Sequence, residues 1–190
     1  MKKYLNLLLL GALCLQFTTC SKSAPKCCDA VSTLSWKDEL KTDVPLLGHR
    51  NWIVVTDMAY PLQAQAGIKT IYTNEAYIDV LEFVYKEIEQ APHVKAAIYQ
   101  DRELLYLNEK DAAGIDVLRK QMKTLLGDKA LPVSHEELIN RLDEVSRKFN
   151  VVILKSNLTV PYTSTFFELD CNYWDSASEN ALQDAIRKGE

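Results

Sequence analysis

The stretch LLGHRNWIVVTDMAYPLQ, Leu46 to Gln63, sets a short unbroken apolar run between two titratable side chains. Trp52-Ile53-Val54-Val55-Thr56 is β-branched and too short for a helix, so it reads as a strand buried on both faces. Gly48 before the run signals a turn, and Pro61 after it marks the exit loop. His49 and Asp57 therefore stand at opposite ends of one strand. At about 3.3 Å per residue, eight extended steps separate their Cα atoms by ~26 Å. The two side chains share a site only if the chain curls back or if a second subunit supplies one of them. Taken alone, the bland reading of each is common: a surface or capping His, and an Asp that caps a turn.

Four further strands are predicted at Val94–Gln100, Leu104–Leu107, Val151–Lys155 and Thr165–Leu169. Helical spacing fills the gaps. From Asn74, one face carries Ile78, Leu81, Tyr85 and Ile88, and Pro92 closes the run. From Asp111, the face carries Ile115, Leu118, Met122 and Leu125, with Gly127 as the stop. Ser134 and Glu137 form a capping box for a helix that buries Leu138, Leu142, Val145 and Phe149. A polar C-terminal helix is predicted near Ser176, capped by Asp175 or Ser176. Strands alternating with helices point to an α/β fold, a single domain with a largely parallel central sheet flanked by helices. Sites in such sheets gather at the carboxyl ends of strands. Asp57 and the segment after Val151–Lys155 lie there.

The N-terminus reads differently. Met1-Lys2-Lys3 is basic, and Leu5 to Leu15 is almost wholly apolar but too short for a comfortable membrane span. Phe17-Thr18-Thr19-Cys20 is similar to a bacterial lipobox, with Phe and Thr in place of the usual Leu and small residue. Residues 1–19 are thus expected to be an export signal. Cys20 is expected to carry lipid, and residues 20–34 to form a tether to the domain at 35–190. Ordinary cleavage with a soluble product is the rival. Lipidation would anchor the exported chain to a membrane facing the periplasm or cell surface.

The 190-residue chain has a net charge of −4. With no basic patch, nucleic acid is not an expected partner. Of its 5 cysteines, Cys14 lies in the signal. Either Cys27 or Cys28 could bond Cys171 in an oxidising compartment. No CxxC or HxxxH spacing suggests a metal, and no metal or other cofactor is expected.

Three segments supply the polar groups of a site: the opening stretch, Ser134-His135-Glu136-Glu137, and Lys155 to Ser164. Exchange between sugar ring or anomeric forms needs a proton taken from the anomeric hydroxyl and one given to the ring oxygen. Histidine side chains do both jobs, and carboxylates fix their tautomers. Tyr, Asn, Ser and Lys suit sugar hydroxyls.

From about Leu46 to Leu169 the chain resembles the ribose pyranase and fucose mutarotase family. LGHRNWIVVTDMAYP is similar to that family's Leu-Gly-His, apolar strand, Asp, small residue and Pro, with the same eight-residue step. The resemblance implies the family's fold, His49 as general acid/base and Asp57 as its orienter. VSHEEL places a sugar contact on His135, and VVILKSNLTVPYTS places the aromatic contact on Tyr162. Ser164 stands where the family has Asn, and Ile139 where ribose pyranases have Lys. Lys155 and Asn157 are further candidates for binding sugar. Pro45 interrupts the helix expected before His49. The resemblance also implies a homo-oligomer with sites between subunits and a monosaccharide ligand. A non-catalytic sugar-binding protein or a structural lipoprotein of the same fold is the alternative.

The tail FFELDCNYWDSASENALQDAIRKGE, Phe166 to Glu190, has no counterpart in the short family members. Glu168 and Asp170 share one strand face, which fits an edge strand with a solvated face or a second acid/base pair. Tyr173 and Trp174 fit either packing or stacking on a sugar.

Overall fold

The computed structural model describes residues 34–189. Six strands form one mixed sheet: β1 (Trp52–Thr56), β2 (Ile68–Tyr72), β3 (Val94–Asp101), β4 (Ala130–Val133), β5 (Val151–Lys155) and β6 (Thr165–Cys171). Their spatial order is β2-β5-β1-β6-β3-β4. β1, β2 and β5 are mutually parallel, as are β3 and β4. β6 runs antiparallel to both β1 and β3, so five strands share one direction and β6 alone opposes them. The largely parallel α/β sheet is as the alternation of strand and helix patterns suggests.

All five residues of β1 are buried, and their alternation divides the core. Ile53 and Val55 face one cluster, with Val152, Leu154, Phe167 and Leu169 from the sheet. α1 (Trp36–Asp43), α2 (Tyr77–Gln90) and α3 (Ile115–Leu126) cover that side. Trp52 and Val54 face the other cluster, where Val151, Ile153 and Phe166 meet Leu138 and Leu142 of α4 (His135–Val145). Each fully buried Leu, Ile or Phe contributes roughly 1.5–3 kcal/mol relative to exposure, so the two-sided burial of β1 makes it the spine of the fold. α5 (Ser176–Lys188) buries none of its residues.

Capping follows the sequence closely. The Ser134 hydroxyl accepts from the Glu137 N–H, and Asp175 accepts from Ser178. Gly127, at φ 62°, ends α3. α2 begins at Tyr77 and α3 at Ile115, three and four residues after the expected starts at Asn74 and Asp111. The Glu109 carboxylate reaches forward to the Gly114 and Asp116 N–H groups and so caps α3 from the preceding loop. Phe149 lies beyond the end of α4 and is only half-buried.

Some expectations are corrected. Leu104–Leu107 is not a strand; a 3₁₀ turn spans Arg102–Leu105 directly after β3. Leu104 is buried while Leu105 and Tyr106 are exposed, so the run has no face to add to a sheet. Two strands went unpredicted, β2 and β4. Both are edges, and neither has the apolar run of a central strand. β4 contains Pro132, which an edge tolerates because one side of the strand needs no ladder donor. Pro45 does not stop the chain coiling; it opens a 3₁₀ turn, Val44–Leu46, at the end of α1. β6 is no edge but lies inside the sheet between β1 and β3. Among the described residues no helix is long and apolar enough to cross a membrane.

Candidate functional site

Two His–carboxylate pairs stand at opposite ends of the sheet. The first lies at the carboxyl ends of β1, β3 and β5. Asp101 closes β3 with its side chain wholly out of solvent, and its Oδ1 lies 3.0 Å from Nδ1 of His135. His135 is the first residue of α4, and Glu103 accepts its backbone N–H at 3.0 Å. The Tyr162 ring meets the imidazole edge-to-face at 5.5 Å. Tyr162, in the bend at residues 161–162, is held at φ 57°, an unusual backbone for a bulky residue. Ser164 donates its N–H to Asp101 Oδ2 at 3.3 Å.

Electrostatics single out Asp101. Burial pushes its carboxyl up to about 6; the His135 imidazole and the Ser164 N–H pull the other way but do not restore the usual value. When Asp101 is ionised it accepts from the Nδ1–H of a neutral His135, which leaves the Nε2 lone pair free. The inner wall is polar as well. Thr165 Oγ1 joins the Tyr77 hydroxyl at 2.8 Å and the Gln100 amide at 3.2 Å. Burial raises the Tyr60 phenol, helped by Asp101, Asp143 and Asp57. The Tyr60 and Ser164 hydroxyls are buried without a protein partner.

The remaining sequence candidates brace this end. Asp57 is buried, and its Oδ1 accepts the Ala59 N–H at 2.7 Å, an Asx-type turn. Lys155 Nζ donates to the Tyr60 carbonyl at 2.5 Å, which ties the loop after β1 to the end of β5. Asn157 is exposed, and its N–H donates to the Glu75 carbonyl. Ile139 packs against the α4-side core.

The second pair lies at the amino end of β1. His49 Nδ1 is 2.7 Å from Asp170 Oδ1, and both side chains are about half exposed. Within the chain, then, His49 and Asp57 are not brought together: β1 separates them, and Asp170, not Asp57, meets the imidazole. His135, Tyr162 and Ser164 do converge. Cys20 lies outside the described residues, as do Cys27 and Cys28; Cys171 is half-buried at the end of β6. Among the described residues no group of three or more His, Cys, Asp or Glu is placed to hold a metal ion.

Asp101 is the residue that sequence reasoning missed. It ends the run Ala96-Ala97-Ile98-Tyr99-Gln100 as Asp57 ends β1, so the same signal of strand followed by aspartate was present.

No protein-family model and no curated protein matches the chain. Solved structures do show similar chain paths. Bacillus subtilis RbsD complexed with D-ribose is 18% identical, over 73% of this chain and 93% of that one, with a TM-score of 0.48. The fucose mutarotase from Streptococcus pneumoniae in complex with L-fucose is 18% identical, over 74% and 98%, with a TM-score of 0.47. FucU from Bifidobacterium longum is 8% identical, over 70% and 94%, with a TM-score of 0.45.

Proposed function

We propose that the protein binds a monosaccharide at the carboxyl end of its sheet and exchanges its anomeric or ring forms. The observation that carries this reading is the buried Asp101 held to His135, with Tyr162 against the imidazole. Such a cluster offers an aromatic flank and a nitrogen that donates or accepts. It supports a sugar-contacting role for His135, Tyr162 and Ser164, in line with the motif resemblance. In the reaction a base removes the anomeric O–H proton as the bond from C1 to the ring oxygen breaks, and an acid protonates that oxygen. Reclosure on the other face of C1, or through another hydroxyl, reverses both transfers. His49 is the proposed acid/base. Its place at the far end of β1 means that a second copy must bring it to the cluster, so the active form in this reading is a homo-oligomer. Asp57 then acts by shaping the loop that carries Tyr60.

A second reading is binding without turnover. Ile139 favours it, because a core-packed aliphatic side chain offers nothing to a hydroxyl. Saturation-transfer NMR of the full-length chain with a panel of aldopentoses and hexoses separates the two. Exchange above background supports the first, binding alone supports the second, and neither overturns both. Light scattering at micromolar concentration is expected to show more than one copy; a monomer that still exchanges sugar refutes the shared site.

We also propose export with lipid attachment at Cys20. In a bacterial host, the wild-type chain should partition into detergent and Cys20→Ala should remain aqueous. Equal partitioning of the two processed chains contradicts the anchor.

A further inference from the structure

The His49 end of the sheet carries chemistry of its own. Antiparallel pairing of β1 with β6 sets Trp52 opposite Glu168 and continues past the strand ends. Leu169 N–H donates to the Asn51 carbonyl, and Arg50 N–H donates to the Leu169 carbonyl, each at 2.9 Å. That ladder brings Asp170 beside the Gly48–Asn51 turn. The turn is fixed: Asn51 N–H donates to the Gly48 carbonyl, and Gly48 N–H donates to Asn51 Oδ1 at 2.7 Å. Arg50 occupies it at φ 72°, a place glycine normally takes.

The hydrogen bonds around His49 select one tautomer. Asp170 Oδ1 accepts the Cys171 N–H at 2.8 Å and faces His49 Nδ1 at 2.7 Å. On the other side, Arg50 Nε donates to His49 Nε2 at 3.2 Å. Neutral His49 therefore carries its proton on Nδ1 and presents the Nε2 lone pair. Burial pushes the Asp170 carboxyl up, but the Cys171 N–H, His49 and Lys95 outweigh it and hold the group below its ordinary value. It is ionised throughout the neutral range. The chain then turns at Tyr173 and Trp174 into α5, and Trp174 Nε1 donates to Glu179 at 2.9 Å. This tail borders an open cleft of about 680 Å³ that His49 and Asp170 line, with Arg50, Asp175 and Glu179 as its other charged groups. Lys95 acts on Asp170 from β3.

We infer that Asp170 is the positioning residue for His49, and that the C-terminal segment makes the His49 end the face on which the Trp174 indole flanks the sugar held by a second copy's His135 cluster. The inference rests on the proposed sugar chemistry and replaces Asp57 as the group that orients the imidazole. Asp170 touches no reacting atom. It fixes the tautomer, and the substrate hydroxyl displaces Arg50 Nε from His49 Nε2.

The test uses the full-length chain and the variants Asp170→Asn, Asp170→Glu, Asp57→Asn and Trp174→Ala. Nitrogen-15 NMR of the imidazoles above their titration range reads the His49 tautomer without any sugar. Wild type and Asp57→Asn should show one tautomer, Asp170→Asn a mixture, and Asp170→Glu a partial return. Asp170→Asn should lower kcat for sugar exchange about tenfold with KM little changed, since orientation and not binding is lost. Trp174→Ala should raise KM several-fold. If wild type exchanges sugar and Asp170→Asn matches it in tautomer and kcat, the positioning role is refuted while the proposed function stands. If wild type shows no exchange, that function fails, and the tautomer alone decides whether Asp170 orients His49. An unchanged KM in Trp174→Ala overturns the assignment of Trp174.

Discussion

The two His–Asp pairs use the same groups at nearly the same distance, 3.0 Å and 2.7 Å, yet their carboxylates move in opposite directions. Asp101 is enclosed at the end of β3, and loss of hydration raises its carboxyl to about 6. Asp170 sits half in water with a backbone N–H on the oxygen that faces His49, and it is lowered. Solvent access, not the pairing itself, decides which carboxylate keeps its charge. One pair therefore changes state in mildly acidic solution, and the other holds a fixed charge beside its imidazole.

The largest expected effect tests whether the exposed pair carries the reaction. His49→Ala should lose roughly 10²–10⁴ of the exchange rate, the usual share of a positioned acid/base. His49→Asn should do little better, because an amide does not take up and return the proton. Neither change should move stability by more than about 0.5 kcal/mol, as the side chain is exposed and outside the core. Exchange measured by NMR beside denaturation followed by circular dichroism checks both halves. An unchanged rate in a folded variant removes His49 from the chemistry and leaves His135 as the better placed imidazole.

The second effect lies in pH and belongs to Asp101. Its folded value is about 6, against about 3.9 for an unfolded Asp. Between those values the folded state binds the proton and the unfolded state does not. The stability from this group is thus fully present below about pH 4 and is lost as pH rises through 6, a change of about 3 kcal/mol. Urea titrations at pH 4, 5, 6 and 7 should show this slope in wild type relative to Asp101→Asn. If the difference between the two chains is flat, Asp101 is not titrating in the folded state.

How much of this was legible in the sequence differs between the two ends for a physical reason. β1 and β5 are buried on both faces, so hydrophobicity alone marks them. β2 and β4 face solvent along an edge, so Lys69 and Pro132 interrupt the signal. The Ser134 cap is local, and so is the placing of His135 at the start of α4. Pairing is not local. Asp101 lies 34 residues from His135, and Asp170 lies 121 from His49. The eight-residue step from His49 to Asp57 suggested a partnership that the intervening strand keeps apart. What joins His49 to Asp170 is antiparallel register, and the alternation of Glu168 and Asp170 alone fits either an edge with a solvated face or a second acid/base pair. The actual place of β6 between β1 and β3 aims that face at two neighbours: Glu168 accepts from the Tyr99 hydroxyl while Asp170 faces His49.

The smallest expected effect is also the one that separates holding a fold from holding a tautomer. Asp170→Asn removes a charge from a pair whose side chains are 47% and 56% exposed. Water and salt screen such a pair, and exposed ion pairs contribute about 0.2–1 kcal/mol. The amide retains an oxygen that can accept the Cys171 N–H, and the ladder from Arg50 and Asn51 to Leu169 does not involve the carboxylate. The loss in denaturation free energy at pH 7 should therefore be about 0.5 kcal/mol or less, and smaller still in 1 M salt. Set beside the tenfold fall in kcat, that figure assigns the residue to orienting the imidazole. A loss well above 1 kcal/mol that salt does not reduce would instead make Asp170 a structural brace of the Gly48–Asn51 turn, and the contrast between the two pairs would then be one of exposure alone.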